Sequence, residues 1–304
     1  MPGVIQDNVS TSWPIEYNRR RLAGLRSSLK KQRQLLVKAG KNRPRRAKIN
    51  ESINATLEKL ANELLNAGEY SEAYDLFFWL PENGKYAKSR YQGLADSLLR
   101  LKQFEEAVDI AENATRAYPD DIDLRITLLN ALNAMSEYEK CLSLAYDSIL
   151  LFPDQTMFAF FAAQSHEFLE HWDEAEERYQ LILRENPEDA HLRAGIARCL
   201  MGKGHSKKAV PLLKRAVVTS PEYSGCYYEL VNTYADLDQF DKALRVARRA
   251  FELFSDTEGL AYGYLGMALL NNDEEDEAIE ILREGLLLYP EEDMIADILE
   301  DIED

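Results

Sequence analysis

Prolines stand at Pro119, Pro153, Pro187 and Pro221, each 34 residues after the one before; the same step reaches Ser255 and then, one residue late, Pro290. A fixed period of this length commits a chain to stacked copies of one supersecondary unit before any local motif is read. Small residues keep the frame, with Ala107, Cys141, Ala175, Ala209, Ala243 and Ala278 each twelve residues ahead of a marker. Thirteen residues further back lie Leu94, Leu128, Ala162, Ile196, Leu230 and Leu265, followed by Ala95, Leu129, Ala163, Ala197, Val231 and Gly266. Small side chains at a helix crossing let the backbones approach to the short end of the ~8–10 Å interaxial range. Phe104, Tyr138, Trp172 and Phe240 place an aromatic at the turn into a second helix, a slot that Ser206 and Glu275 break.

Helix formers fill each half-repeat, and the breaks read AGEYSEA, MSEYEK, GKGHSK and NNDEEDEA, which are turn compositions. Each unit is therefore a helical hairpin, which cannot bury its apolar face alone and must stack on its neighbours. The pattern resembles the tetratricopeptide repeat family. Its best matches are Tyr91, Leu94, Ala95, Leu98, Ala107 and Pro119; Tyr227, Leu230, Tyr234 and Ala243; and Tyr262, Leu265, Gly266, Leu269, Ala278 and Pro290. The resemblance implies an all-α, right-handed superhelical solenoid of about seven helix-turn-helix repeats. Their frames run 88–121, 122–155, 156–189, 190–223, 224–258 and 259–292, with a degenerate repeat at 54–87 whose proline is displaced to Pro81. The array thus spans 54–292. Residues 293–304 set Met294, Ile295, Ile298, Leu299 and Ile302 at helical spacing among acids, the pattern of a polar capping helix.

Charge divides the chain in two. The formal net charge is −17, yet residues 1–50 carry 13 basic side chains against 2 acidic, while 51–304 carry 23 against 51. Every base of that first segment lies between 19 and 48, where there is no acid, and Leu22, Leu25, Leu29 and Leu36 recur there at helical spacing. The N-terminal segment 1–50 therefore holds a basic amphipathic helix over about 19–40, bearing Arg19, Arg20, Arg21, Arg26, Lys30, Lys31 and Arg33. Four roles stay open for it: a cap on the first repeat, a site for an acidic partner or anionic membrane surface, a contact to nucleic acid, or targeting to an organelle; a tether over its own acidic groove is the remaining alternative. A mitochondrial presequence is disfavoured because Asp7 and Glu16 precede the basic run. No apolar run suggests a membrane span, and three scattered cysteines point to a reducing, cytoplasmic setting.

Catalytic signals are absent from the pattern. There is no Gly-rich phosphate loop, C-x-x-C pair or nucleophile elbow. His166 and His171 are five apart, which misses the i, i+4 face of paired metal ligands, and all four histidines read as solvated or turn residues. We expect no enzyme, cofactor or metal.

Recognition remains. In the family this chain resembles, the first helix of each repeat lines a concave groove, and projecting its groove positions gives Asn62, Asn130, Gln164, Arg198 and Asn232. Amides there offer donors and an acceptor to a peptide backbone. The repeat at 156–189 adds Met157, Phe160, Phe161 and Phe168, an expected apolar anchor pocket, which Tyr228, Tyr264 and Met267 extend. The positions where some relatives clamp a chaperone carboxylate hold Glu58, Gly93, Ala194 and Gly195, so that clamp is not expected. The acidic body favours a basic or amphipathic peptide or partner helix. The sequence is silent on oligomeric state.

Overall fold

The computed structural model describes residues 15–40 and 42–303, which form sixteen α-helices. The first six are α1 (Ile15–Lys38), α2 (Arg43–Asn66), α3 (Tyr70–Phe78), α4 (Ala87–Arg100), α5 (Phe104–Ala117) and α6 (Ile122–Ala134). Then come α7 (Tyr138–Leu151), α8 (Thr156–Phe168), α9 (Trp172–Glu185), α10 (Ala190–Gly202) and α11 (Ser206–Thr219). The last five are α12 (Ser224–Ala235), α13 (Phe240–Phe254), α14 (Leu260–Leu270), α15 (Glu275–Leu288) and α16 (Asp293–Glu303). No strand occurs among the described residues, and the fold is an all-α helical repeat array.

Contacts divide the chain into two compact units, residues 1–140 and 141–304. Within the first, each helix from α1 to α6 packs on the next, and α2, α4 and α6 also touch in series. Within the second, α8 to α16 pack in chain order while α8, α10, α12, α14 and α16 form their own series. In each unit, then, one helix of every hairpin belongs to an inner series.

The turn inside each hairpin has one geometry throughout. Lys102, Ser136, Glu170, Gly204 and Asp238 all adopt positive φ, between 54° and 72°, at intervals of 34, and Gly68 (80°) and Asp273 (59°) do the same in the flanking hairpins. The amide one residue later bonds back to the carbonyl five residues before it, from Glu69 to Leu64 through to Glu274 to Leu269, at 2.7–3.0 Å. This is the six-to-one closure that satisfies an orphan helix carbonyl and reverses the chain. Left-handed backbone costs an L residue roughly 1–2 kcal/mol, which Gly68 and Gly204 avoid. Helix starts are fixed too: Asp121 and Asp189 side chains accept from the amides of Leu124 and Leu192, each at 3.1 Å.

Side-chain bulk is traded between paired helices. Phe77 of α3 is 1% exposed and lies where a Cβ on Gly93 would stand 2.4 Å from its ring; Tyr179 likewise covers Gly195, at 2.8 Å. One step of 34 before Gly195 and Tyr179 stand Phe161 of α8 and Ala145 of α7, so in that pair of helices the large residue sits on the later one. Gly93→Val is accordingly expected to lower stability by about 1–3 kcal/mol through overpacking. A thermal midpoint equal to the parent's would count against this packing.

The basic segment forms a longer helix than its charges indicate, beginning at Ile15 and ending at Lys38. Leu22 and Leu29 are buried, and Leu25 and Leu36 half-buried, against Ile53, Leu57, Leu60 and Leu64 of α2 and Phe77 of α3. Asn42 caps α2 by accepting from the Arg45 amide at 3.0 Å, with a proline in the first turn. The helix that opens the degenerate repeat therefore starts at Arg43, eleven residues before the frame at 54. Arg21 pairs with Glu63, and Arg26 with Glu72. The side chains of Arg19 and Arg20 lie outside the described residues.

Candidate functional site

The series α8, α10, α12 and α14 brings together most of the residues expected to bind a partner. Met157, Phe160, Gln164, Asn232 and Tyr264 are half-buried, and Phe168 is 49% exposed. Phe160 sets its ring edge against Tyr179, centroids 5.9 Å apart. Phe161 departs from the expectation: it is 3% exposed and so is not offered to a ligand. Tyr228 is also buried, at 5%, beneath Tyr264 in a parallel stack of 4.4 Å and 4°. Its hydroxyl donates to Glu258 at 3.0 Å, while Asn232 donates to the Tyr264 hydroxyl at 3.4 Å. Asn130, half-buried on α6, belongs to the first unit.

Arg198 is not a free groove cation. Its Nε and Nη2 hold both carboxylate oxygens of Glu167, and Nη1 reaches Glu229 at 3.2 Å. The Tyr179 hydroxyl donates to Glu167 at 2.8 Å, which gives that nearly buried carboxylate a second partner. Burial works against the Arg198 charge, yet the hydrogen bonds and charge of Glu167 and then the charge of Glu229 hold the guanidinium above its ordinary range. Burial raises the Glu229 carboxyl despite Arg198 beside it, and it pushes Cys199 and Cys226 up to about 12, so these thiols stay protonated. Two acids thus share one base, and the face keeps a surplus of negative charge.

Glu167, Glu229 and Tyr179 were not singled out by sequence. The signal was present: Glu167, Arg198 and Glu229 are spaced 31 apart, one helical turn short of the repeat, and pairs 30–32 apart recur as Tyr228–Glu258 and Asn232–Tyr264.

His171 and His205 are exposed at turns, as expected, whereas His166 is not solvated. His166 is 8% exposed; its Nε2 lies 2.9 Å from the Tyr146 hydroxyl and its Nδ1 3.3 Å from Nδ1 of His171. One ring must supply the proton of that contact and the other the lone pair. His191 stacks against Tyr223 at 3.8 Å. Burial, then the charges of Arg178 and His171, lower the His166 pKa, with Glu174 opposing. The folded state therefore disfavours the charged ring: its contribution is complete above the ordinary value of 6.5 and is lost as pH falls through the depressed folded value. Between pH 7.5 and 5, urea denaturation is expected to show a larger loss of stability for the parent than for His166→Gln; equal losses would refute the assignment.

Among the described residues no group of three or more His, Cys, Asp or Glu could hold a metal ion, and no helix is long and apolar enough to cross a membrane. Repeated antiparallel hairpins, a shared turn and an inner helix series define a helical-hairpin repeat protein, a class built to present extended surfaces. Family models described as tetratricopeptide repeat match residues 89–121, 169–217 and 228–293. The chain carries tetratricopeptide repeats in these segments. It is 25% identical over 218 residues to a BBSome complex member BBS4 homolog of Drosophila melanogaster, covering 70% of this chain and 44% of that protein. The chain thus spans less than half of that curated relative's length. A tetratricopeptide repeat protein from Parabacteroides merdae superposes with a TM-score of 0.65 at 15% identity, covering 81% of this chain and 97% of that one. Yeast Tom70 superposes with a TM-score of 0.61 at 15% identity, over 87% and 55%. At such identities the two structures bear on fold alone.

Proposed function

We propose that the chain is a non-enzymatic scaffold or adaptor that binds a basic or amphipathic peptide on the face formed by α8, α10, α12 and α14. One observation carries this reading: Glu167 and Glu229 share the single guanidinium of Arg198, next to partly exposed aromatic rings. A cation on the ligand relieves the uncompensated carboxylate. Phe160 and Tyr264 supply apolar anchors, and Gln164 and Asn232 supply amides for a backbone. Met157 and Phe168 widen the apolar rim. The three cysteines are buried thiols outside any disulfide, which suits a reducing, cytoplasmic setting.

Selection of a random peptide display library on the full chain tests the proposal. Selected peptides are expected to be enriched in Lys and Arg, and Phe160→Ala and Tyr264→Ala are each expected to weaken binding by about tenfold or more, mainly through faster dissociation. Acidic consensus peptides, or affinities unmoved by both variants, would defeat it. A second reading, a subunit of a larger assembly, draws on the Drosophila relative's description as a complex member. A chain that is folded and monomeric by sedimentation favours the adaptor.

A further inference from the structure

A second groove, of opposite sign and independent of the face above, lies in the first unit where α1 packs on α2, with side chains of α3 along its edge. It is an open groove of about 470 Å³ with Leu29, Leu60 and Leu76 in its floor. Lys30 and Arg33 line it, one turn apart on α1, with Val37 one turn further along. All three are exposed, Val37 by 81%. Arg26, on the same stripe, already shows what the groove accepts: its guanidinium takes both oxygens of Glu72, with Nε at 3.2 Å. Lys30 and Arg33 make no ion pair among the described residues, although the chain after position 50 carries 51 acids.

We propose that this groove binds an acidic amphipathic helix of a partner protein. The stripe from residue 26 to 37 is about 16 Å long at 1.5 Å per residue, three turns of helix. Carboxylates at i and i+3 of such a ligand meet Lys30 and Arg33, and its apolar edge covers Leu76 and Val37. Phosphate-bearing ligands fit less well. A nucleic acid backbone has no use for the leucine floor, and a concave groove does not lie flat on a bilayer.

The probe is a labelled synthetic peptide of residues 290–304, PEEDMIADILEDIED, whose acids and apolar stripe are those of the ligand inferred. Fluorescence anisotropy with the full chain is expected to show saturable binding. Lys30→Glu with Arg33→Glu, and separately Val37→Asp, are each expected to weaken it tenfold or more. These side chains are exposed, and circular dichroism verifies that the variants remain helical; Lys30→Met with Arg33→Gln supplies a milder pair expected to act in the same direction. The proposal is overturned if the peptide does not bind. It is overturned as well if the variants leave binding unchanged, as they would if the peptide took its own helix's seat on α14 and α15, or if a scrambled peptide without the apolar stripe binds equally. Tighter retention of phosphatidylserine vesicles or of duplex RNA, lost in the same variants, would assign the groove to a phosphate surface and overturn it too.

Discussion

Arg198→Ala is expected to cost about 3–5 kcal/mol, the usual penalty for stranding a buried charge. Glu167 is only 8% exposed and Glu229 19%, and both lose their cation at once. The Tyr179 hydrogen bond remains and donates to Glu167 alone. The triple variant Arg198→Met, Glu167→Gln, Glu229→Gln is expected to recover most of the loss, because the penalty comes from uncompensated charge and not from the volume of the side chains. Urea denaturation with an unchanged m value measures both effects. A single variant within 1 kcal/mol of the parent would show that the network contributes little to holding α8, α10 and α12 together.

Deleting residues from Met294 onward is expected to be comparably severe. Helix α16 buries Ile295 and Leu299, at 0% and 8% exposure, against Tyr262 and Leu282. Two large buried side chains are worth roughly 3–6 kcal/mol by area. Truncation also turns the apolar edge of α14 and α15 to solvent in place of the exposed Asp297, Glu300 and Asp301. The thermal midpoint is expected to fall by about 10 °C or more, with a marked loss of solubility. A truncated chain as heat-stable and soluble as the parent would mean that α16 does not protect the repeats beneath it.

The repeat was legible because each hairpin demands the same small residues and the same turn. Positive φ recurs at 102, 136, 170, 204 and 238 in step with the prolines, and only Gly204 of these five advertises it by residue type. The candidate site was less legible. Phe161 belongs to the same helix as Phe160, yet Phe161 is buried and Phe160 only half-buried, a difference that apolar spacing along one helix does not reveal. Arg198 read as one of a row of groove positions, whereas its partners stand 31 residues away on either side. His166 and His171 missed each other by helical spacing because a turn, not a helix face, joins them. The start of α1 at Ile15 precedes the first arginine of the basic run, so charge alone placed that boundary late.

The central claim is that a peptide lies across α8, α10, α12 and α14. Photo-crosslinking addresses it most directly, with benzoylphenylalanine placed in turn at Gln164 and Asn232 on that face and at Leu181 and Arg249, which are exposed on α9 and α13. A library-selected peptide is expected to form covalent adducts from positions 164 and 232 and none from 181 or 249. Adducts arising from 181 or 249, with 164 and 232 silent, would contradict it and move recognition to the other helix layer.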